Sequence, residues 1–452
     1  MFTVQELSAV FSDHRGAAND KIPLRAVMTD TRIEKKQSLF IPLAGENFDA
    51  HLFLMDAIKN GAVAALWQKD RELPKAVPTE FPVFFVEDTL QALQETSSFY
   101  LNKVKPIVVG ITGSNGKTTT KDLVASVLQV KYRTHKTAGN FNNHIGLPLT
   151  ILSMPEDTEV AVLEMGMSQA GEISLLSKLA RPSYAIITNI GESHIEFLGS
   201  RKGIAEAKLE ILDGWQEGAF IYDGDEELLK DHPLKAHAIS SGFNQGCTQL
   251  IEQVDEQDDD SYFTINQIRY HLPLSGKHNV KNASYAIALA LKLNMSSEEI
   301  QKGLENLQLS GMRYEKLEGL HGSLIINDAY NASPTSMKAV IEVILHLKAK
   351  KKKVLVLGDM FELGKFSGDL HADVASVITS EIDAVYTIGE NASRITEAVQ
   401  KSNKGIRSQH FTNKQSLSDQ VKTELTPDTV VLIKASRGMK LEELIKDLIN
   451  ND

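Results

Sequence analysis

A single cysteine, Cys247, stands in 452 residues. One thiol excludes an internal disulfide framework and any cysteine-clustered zinc site, and it agrees with a reducing compartment. Basic charge is also short. Lys and Arg number 48 against 59 Asp and Glu, a formal net charge of −11. That is the wrong sign for a general nucleic-acid binder, whose affinity comes from neutralising phosphates, so no nucleic-acid partner is expected. A local basic pocket for an anionic small molecule stays compatible with it. Long hydrophobic runs are missing as well. No stretch of about 18 apolar residues occurs, so no membrane insertion is expected. The start, MFTVQELSAVF, lacks the basic segment and apolar core of a signal peptide. What remains is 42% hydrophobic and 24% charged, the balance of a soluble globular chain. The expected location is cytoplasmic, and the length calls for two or three domains.

The most informative stretch is GITGSNGKTTT at 110–120. It follows an apolar run, Ile107 to Val109, and leads into helical spacing at Leu123, Val124, Val127 and Leu128. Strand, glycine-rich turn and helix together make a phosphate cradle, because backbone N–H groups and the helix dipole favour an anion there. Gly113, Asn115, Gly116, Lys117, Thr118 and Thr119 are the expected triphosphate-binding residues. Lys117 would reach the β- and γ-phosphates, and the Thr118 hydroxyl would sit on Mg²⁺. Ile111 stands where the general G-x-x-x-x-G-K-[ST] pattern has its first glycine, with Gly110 and Gly113 flanking it.

Three α/β domains are expected: a small N-terminal domain over 1–102, a central P-loop ATPase-like domain with a parallel sheet over 103–311, and a Rossmann-like C-terminal domain over 312–452. In the first, apolar runs at Ser38 to Leu43, Ala62 to Trp67 and Val83 to Val86 alternate with helix-like stretches. In the second, Val160 to Leu163 ends at Glu164, and Tyr184 to Ile190 ends at GESH with His194. Ligands of open parallel sheets gather at the carboxyl ends of strands, so the loop, Glu164 and His194 can converge. Glu164 suits Mg²⁺, which prefers one or two carboxylates beside phosphate oxygens. The acidic run DEQDDD at 255–260 and the lysine run at 350–353 read as a solvated loop and a solvated helix end.

Together GITGSNGKTTT, EMG at 164–166, NIGESHIEFLGS at 189–200 and GKHNVKNA at 276–283 resemble the Mur ligase family, the ATP-dependent amide-forming enzymes of peptidoglycan synthesis. The resemblance covers nearly the whole chain. GNFNNHIGLPLT at 139–150, NDAYNASPTSM at 327–337, LGDMFELG at 357–364 and KASRGMKLE at 434–442 resemble the branch that adds D-alanyl-D-alanine to UDP-MurNAc-tripeptide. The alternatives are another amide ligase of the superfamily and a degenerate nucleotide-binding regulatory relative.

The resemblance implies an acyl-phosphate reaction using ATP and two Mg²⁺ ions, with UDP-MurNAc-tripeptide and D-alanyl-D-alanine as partners, in a monomer. It implies catalytic roles for Lys117, Glu164, His194 and Lys208. Thr118 and Glu164 would hold one metal, with His194 and a carbamylated Lys208 at a second. Asn279 and Asn282 would lie on the adenine side, and Arg313 and Asp328 would meet phosphates and ribose. Thr31, Arg32, Gly45, Asn47 and His51 resemble the uridine-nucleotide cradle, which implies that the small N-terminal domain is the substrate domain. Asn140, Asn142 and Asn143 would touch the muramoyl peptide, and Tyr330, Asn331, Ser336, Ser436 and Arg437 the dipeptide.

Overall fold

The computed structural model describes residues 1–46, 48–232, 235–402 and 405–449. Among them the strands form three large sheets and one two-stranded pairing. The N-terminal sheet runs, in spatial order, His14–Arg15, Val83–Val86, Ala62–Gln68, Ser38–Phe40 and Ala26–Met28. All its neighbours are parallel except His14–Arg15. The helix Thr89–Val104 leaves this sheet, turns at Lys105 (φ 55°), and meets the next strand at Ile107. Asp88 caps its start through the N–H of Gln91, and Tyr100 donates to the carbonyl of Met154, binding the helix to the central domain.

The central sheet has nine strands. Ile107–Thr112 lies between Val160–Glu164 on one side and Tyr184–Ile187 on the other, all parallel. These strands read as unbroken apolar runs because helices cover both faces; Val160–Glu164 is buried at every position. The chain reverses its direction of winding about Ile107–Thr112, and a cleft opens at the carboxyl ends of strands at such a point. The helix Lys117–Leu128 fills one face and packs against Lys277–Lys292. The far edge departs from the purely parallel expectation: Gln249–Glu256, Ser261–Ile265 and Ile268–Leu272 form an antiparallel meander.

The C-terminal sheet runs Glu315–Glu318, Leu324–Asn327, Thr429–Lys434, Lys352–Gly358, Ala384–Ile388 and Arg407–Phe411, with only the first antiparallel. Two charge runs need correction here. The acidic run is a solvated loop only in part. Asp255 and Glu256 end a strand, and Asp258 in the following turn accepts the backbone N–H groups of Lys348 (2.7 Å) and Ala349 (2.7 Å) across the domain boundary. Asp259 pairs with Lys316. Nor do the lysines end a helix. Pro334–His346 stops before them, and Lys352 opens a strand and meets Glu424 at 2.7 Å. Lys353 is buried and donates to the carbonyl of Leu345. Charge alone misleads because a lysine stem packs against apolar surface while its tip finds a carbonyl or carboxylate.

Candidate active site

Gly116 adopts φ +78° directly before the helix Lys117–Leu128, and Gly113 has φ +151°. A Cβ on Gly116 would lie 2.6 Å from Asn282 Oδ1, and one on Gly113 would lie 1.9 Å from Thr188 Oγ1. Both positions therefore need glycine, for conformation and for space. Lys117 Nζ bends back to the carbonyls of Gly113 (2.7 Å) and Ser114 (3.2 Å). Burial lowers the pKa of this ammonium, Glu164 partly restores it, and Arg313 lowers it again. Asn115 joins three parts of the site. Its N–H donates to Asn189 Oδ1 (2.9 Å), its carbonyl accepts Thr188 Oγ1 (2.5 Å), and its Oδ1 accepts the Ser333 hydroxyl of the C-terminal domain (2.8 Å).

Glu164 ends its strand level with Ile111. Its Oε2 accepts the Thr118 hydroxyl at 2.8 Å and its Oε1 accepts Asn142 Nδ2 at 2.9 Å. A hydroxyl and a carboxylate oxygen in contact beside an anion cradle make a donor set that suits a hard divalent cation with phosphate oxygens. Among the described residues no cluster of three His, Cys, Asp or Glu side chains forms a self-contained metal cage. Such a cation would need ligands from substrate. His194 sits at φ +66°, an uncommon conformation for a side-chain-bearing residue, and its Nδ1 lies 2.6 Å from Glu362 Oε2 in the opposite domain.

Lys208, on the helix Arg201–Leu209, is 1% exposed. Among the described residues nothing is recorded as accepting a hydrogen bond or ion pair from its Nζ. Burial, reinforced by Lys117, holds its pKa well below the ordinary lysine value. Burying an unpaired ammonium is costly, which is why the neutral amine is favoured here.

The two domains enclose a cavity of about 690 Å³. Its wall includes every residue of Asn115 to Thr119, and Asn140, Asn142, Asn143, Glu164, His194, Asn279 and Asn282 from the central domain. Facing them stand Arg313, Asp328, Tyr330, Asn331, Ser336, Ser436 and Arg437. Arg313 lies over the Tyr330 ring at 4.1 Å, a cation–π contact that fixes its guanidinium plane. The sequence reading missed Lys434. Its Nζ bridges Asp328 Oδ2 (2.6 Å) and the carbonyl of Asn331 (3.0 Å) on the cavity wall. Its place at the end of the strand Thr429–Lys434 was the available signal. Glu362, inside the noted 357–364 motif, was missed too.

The N-terminal group stands apart from this cavity wall, at the carboxyl edge of the first sheet. Thr31 and Arg32 follow Ala26–Met28, and Gly45 and His51 follow Ser38–Phe40, a parallel neighbour. Arg32 is exposed and pairs with Asp30 at 2.6 Å. His51 is buried, with Nδ1 at 2.7 Å from Asp49 and its ring edge-on to Trp67. Asn47 lies outside the described residues.

Two domain families match. The Mur ligase middle domain covers residues 111–290, and the Mur ligase glutamate ligase domain covers residues 312–437. The chain belongs to the Mur ligase family. It is 49% identical, over 95% of its length and 94% of the relative's, to the UDP-N-acetylmuramoyl-tripeptide–D-alanyl-D-alanine ligase of Bacillus subtilis. Among solved structures it resembles MurF from Acinetobacter baumannii, with a TM-score of 0.84, 30% identity and coverage of 99% and 98%. MurF ligase from Thermotoga maritima in complex with ADP gives a TM-score of 0.82, 28% identity and coverage of 95% and 98%. The three-domain α/β architecture is that of this family.

Proposed function

We propose that the protein is the ATP-dependent ligase that joins D-alanyl-D-alanine to UDP-MurNAc-tripeptide, giving UDP-MurNAc-pentapeptide, ADP and phosphate. The observation that carries this reading is the meeting of a phosphate loop, the Thr118–Glu164 oxygen pair and Arg313 in one interdomain cavity. The relatives named above support the choice of substrates. In this reading the tripeptide carboxylate attacks the γ-phosphorus, ADP leaves, and the dipeptide amine attacks the acyl phosphate and expels phosphate. Such chemistry is chiefly positioning and charge neutralisation.

The loop N–H groups and Lys117 cradle the β- and γ-phosphates, with phosphate oxygens replacing the Gly113 and Ser114 carbonyls as acceptors for Nζ. Arg313 brings a second positive charge from the C-terminal side. Thr118 and Glu164 would hold one Mg²⁺ and His194 a second. Bound there, the ions would reduce repulsion between carboxylate and triphosphate. Lys208 is carbamylated in this reading, because burial favours the neutral amine, which adds CO₂ and releases a proton to give an anion that can face a metal. Asn279 and Asn282 flank the adenine, and Asp328 meets the ribose. Asn140, Asn142 and Asn143 face the muramoyl peptide. Thr31, Arg32, Gly45, Asn47 and His51 form the uridine end, with domain limits at 102 and 311. Closure over the cavity excludes water from the acyl phosphate. The enzyme works as a cytoplasmic monomer in peptidoglycan precursor synthesis, and so in cell shape and division.

Phosphate release with ATP, UDP-MurNAc-tripeptide and D-alanyl-D-alanine tests the proposal, trying tripeptides ending in lysine and in diaminopimelate. Release that needs both peptide substrates and disappears in Lys117→Ala is expected. Release indifferent to the dipeptide would move the protein to another branch of the family.

A further inference from the structure

The chain passes from the central to the C-terminal domain over residues 309–314, and the two sides of that crossing are held by different domains. On the central side the holder is Asp122, a buried residue of the helix that begins with Lys117. Its Oδ2 accepts both the backbone N–H (2.9 Å) and the hydroxyl (2.9 Å) of Ser310. Its Oδ1 accepts Lys136 Nζ at 2.6 Å, with Lys121 Nζ 3.6 Å away. On the far side Met312 N–H donates to Glu315 (3.3 Å) and Tyr314 N–H to Asp328 (3.1 Å). Both acceptors belong to the C-terminal sheet or its strand ends. Between the holders stands Gly311. It takes no part in the recorded backbone hydrogen bonds, and nothing lies within 4 Å of where its Cβ would be. Met312 (φ 58°) and Tyr314 (φ 51°) are both in the left-handed region, which side-chain-bearing residues adopt only when held there.

We propose that Asp122 is a positioning residue: it pins Ser310 to the phosphate-loop helix, making Gly311 the pivot about which the C-terminal domain carries Arg313 to the triphosphate. The logic is geometric. Lys117, Thr118 and Asp122 share one rigid helix, so the pinned end of the crossing has a fixed offset from the phosphate cradle. Arg313 lies only three residues beyond the pin. It already lines the same cavity as the loop residues Asn115 to Thr119. An arm this short converts a small displacement of Ser310 into a misplaced guanidinium, and misplacement on the ångström scale costs rate steeply.

The inference rests on the ligase reading above, and a double-mutant cycle tests it. Asp122→Asn and Ser310→Ala are each made alone and with Arg313→Ala, in the full chain. Steady-state ligation and ADP affinity are then measured. Alone, Asp122→Asn is expected to lower kcat about tenfold and Ser310→Ala about threefold, with ADP affinity changed less than about twofold. In the Arg313→Ala background both effects shrink below about twofold, because the group being positioned is gone. Equal losses in the two backgrounds would overturn the proposal and leave Asp122 as a partner for Lys121 and Lys136 alone. Ser310→Ala carries the cycle if Asp122→Asn fails to fold. Hydrogen exchange needs no turnover and separates this inference from the ligase reading. Loss of protection at the Ser310 amide in Asp122→Asn is expected, and unchanged protection would refute the anchor even in a chain that ligates nothing.

Discussion

Replacing Lys208 by methionine should make the protein more stable and inactive. The side chain is 1% exposed, and among the described residues no acceptor faces its amine nitrogen. Leaving one buried polar group unsatisfied costs about 1–3 kcal/mol, and methionine fills similar space without that group. For a domain of this size about 2 kcal/mol is a rise of about 4–8 °C in Tm. The gap should depend on pH. Burial and Lys117 place the folded pKa well below the ordinary value of 10.5, so between the two the unfolded chain binds more protons than the folded one. Wild-type stability therefore rises with pH through that window, by up to about 1.4 kcal/mol per unit, and Lys208→Met lacks the slope. The stabilisation by methionine is largest at the acid end. Carbamylation adds a second signature: bicarbonate stabilises the wild type and not the variant, as a ligand that binds only the folded state does. Calorimetric scans from pH 6.5 to 9, in CO₂-free buffer and with bicarbonate, check all three. A methionine variant that is less stable, with the same pH slope as wild type, would refute the reasoning.

Gly116→Ala puts a methyl 2.6 Å from Asn282 Oδ1 at φ +78°; the left-handed cost alone is about 1–2 kcal/mol. ADP affinity by titration calorimetry should fall at least about tenfold, and unchanged affinity would show that the loop has another conformation when loaded. Lys434→Met strands Asp328 without its 2.6 Å partner. Urea unfolding should show a loss of about 3 kcal/mol, largely recovered in Asp328→Asn/Lys434→Met, because the cost lies in the orphaned charge. Burial pushes the Glu424 carboxyl up, but Arg407, Lys352 and Tyr386 outweigh it and hold the pKa down to about 2. This is a depressed acid, so its contribution is complete above about pH 4.5 and is lost as pH falls towards 2. It amounts to at most about 3 kcal/mol, and Glu424→Gln should flatten the acid limb of the melting curve.

The cradle was legible because its chemistry is local. Gly113, Gly116, Lys117 and Thr118 lie within six positions, and their context announces itself as an apolar run followed by helical spacing. Glu164 and His194 were legible for a related reason: each follows a buried strand, and parallel neighbours bring their carboxyl ends together. Lys434 carries the same mark, ending the buried strand Thr429–Lys434, but without distinctive chemistry beside it, and Asp122 carries none. Their partners lie 106 and 188 positions away, and a lysine ending a strand or an aspartate in a helix is common in surface structure. The two charge runs failed in the opposite direction. Their composition suggested water on every side, yet Asp258 and Lys353 are spent on backbone groups of the C-terminal domain. Sequence charge records what a side chain could meet in solution, not which backbone donor or acceptor the fold leaves nearby.

The same accounting divides the candidates for the dipeptide end of the cavity. A D-alanyl-D-alanine carboxylate needs donors. The one proton of Ser336 goes to the carbonyl of Ser333 at 3.1 Å, and a lone pair takes the Ser333 N–H at 2.9 Å. This hydroxyl closes the start of the helix Pro334–His346 and has nothing left to give an anion. Ser436 differs, since its oxygen accepts the Phe361 N–H at 2.8 Å and keeps its own proton. Arg437 uses one terminal nitrogen on Glu442 at 2.8 Å, which leaves the Nε–Nη2 edge for a bidentate carboxylate contact. Of the three, Ser336 sets where the helix begins, and Ser436 and Arg437 hold the donors that could bind the anion.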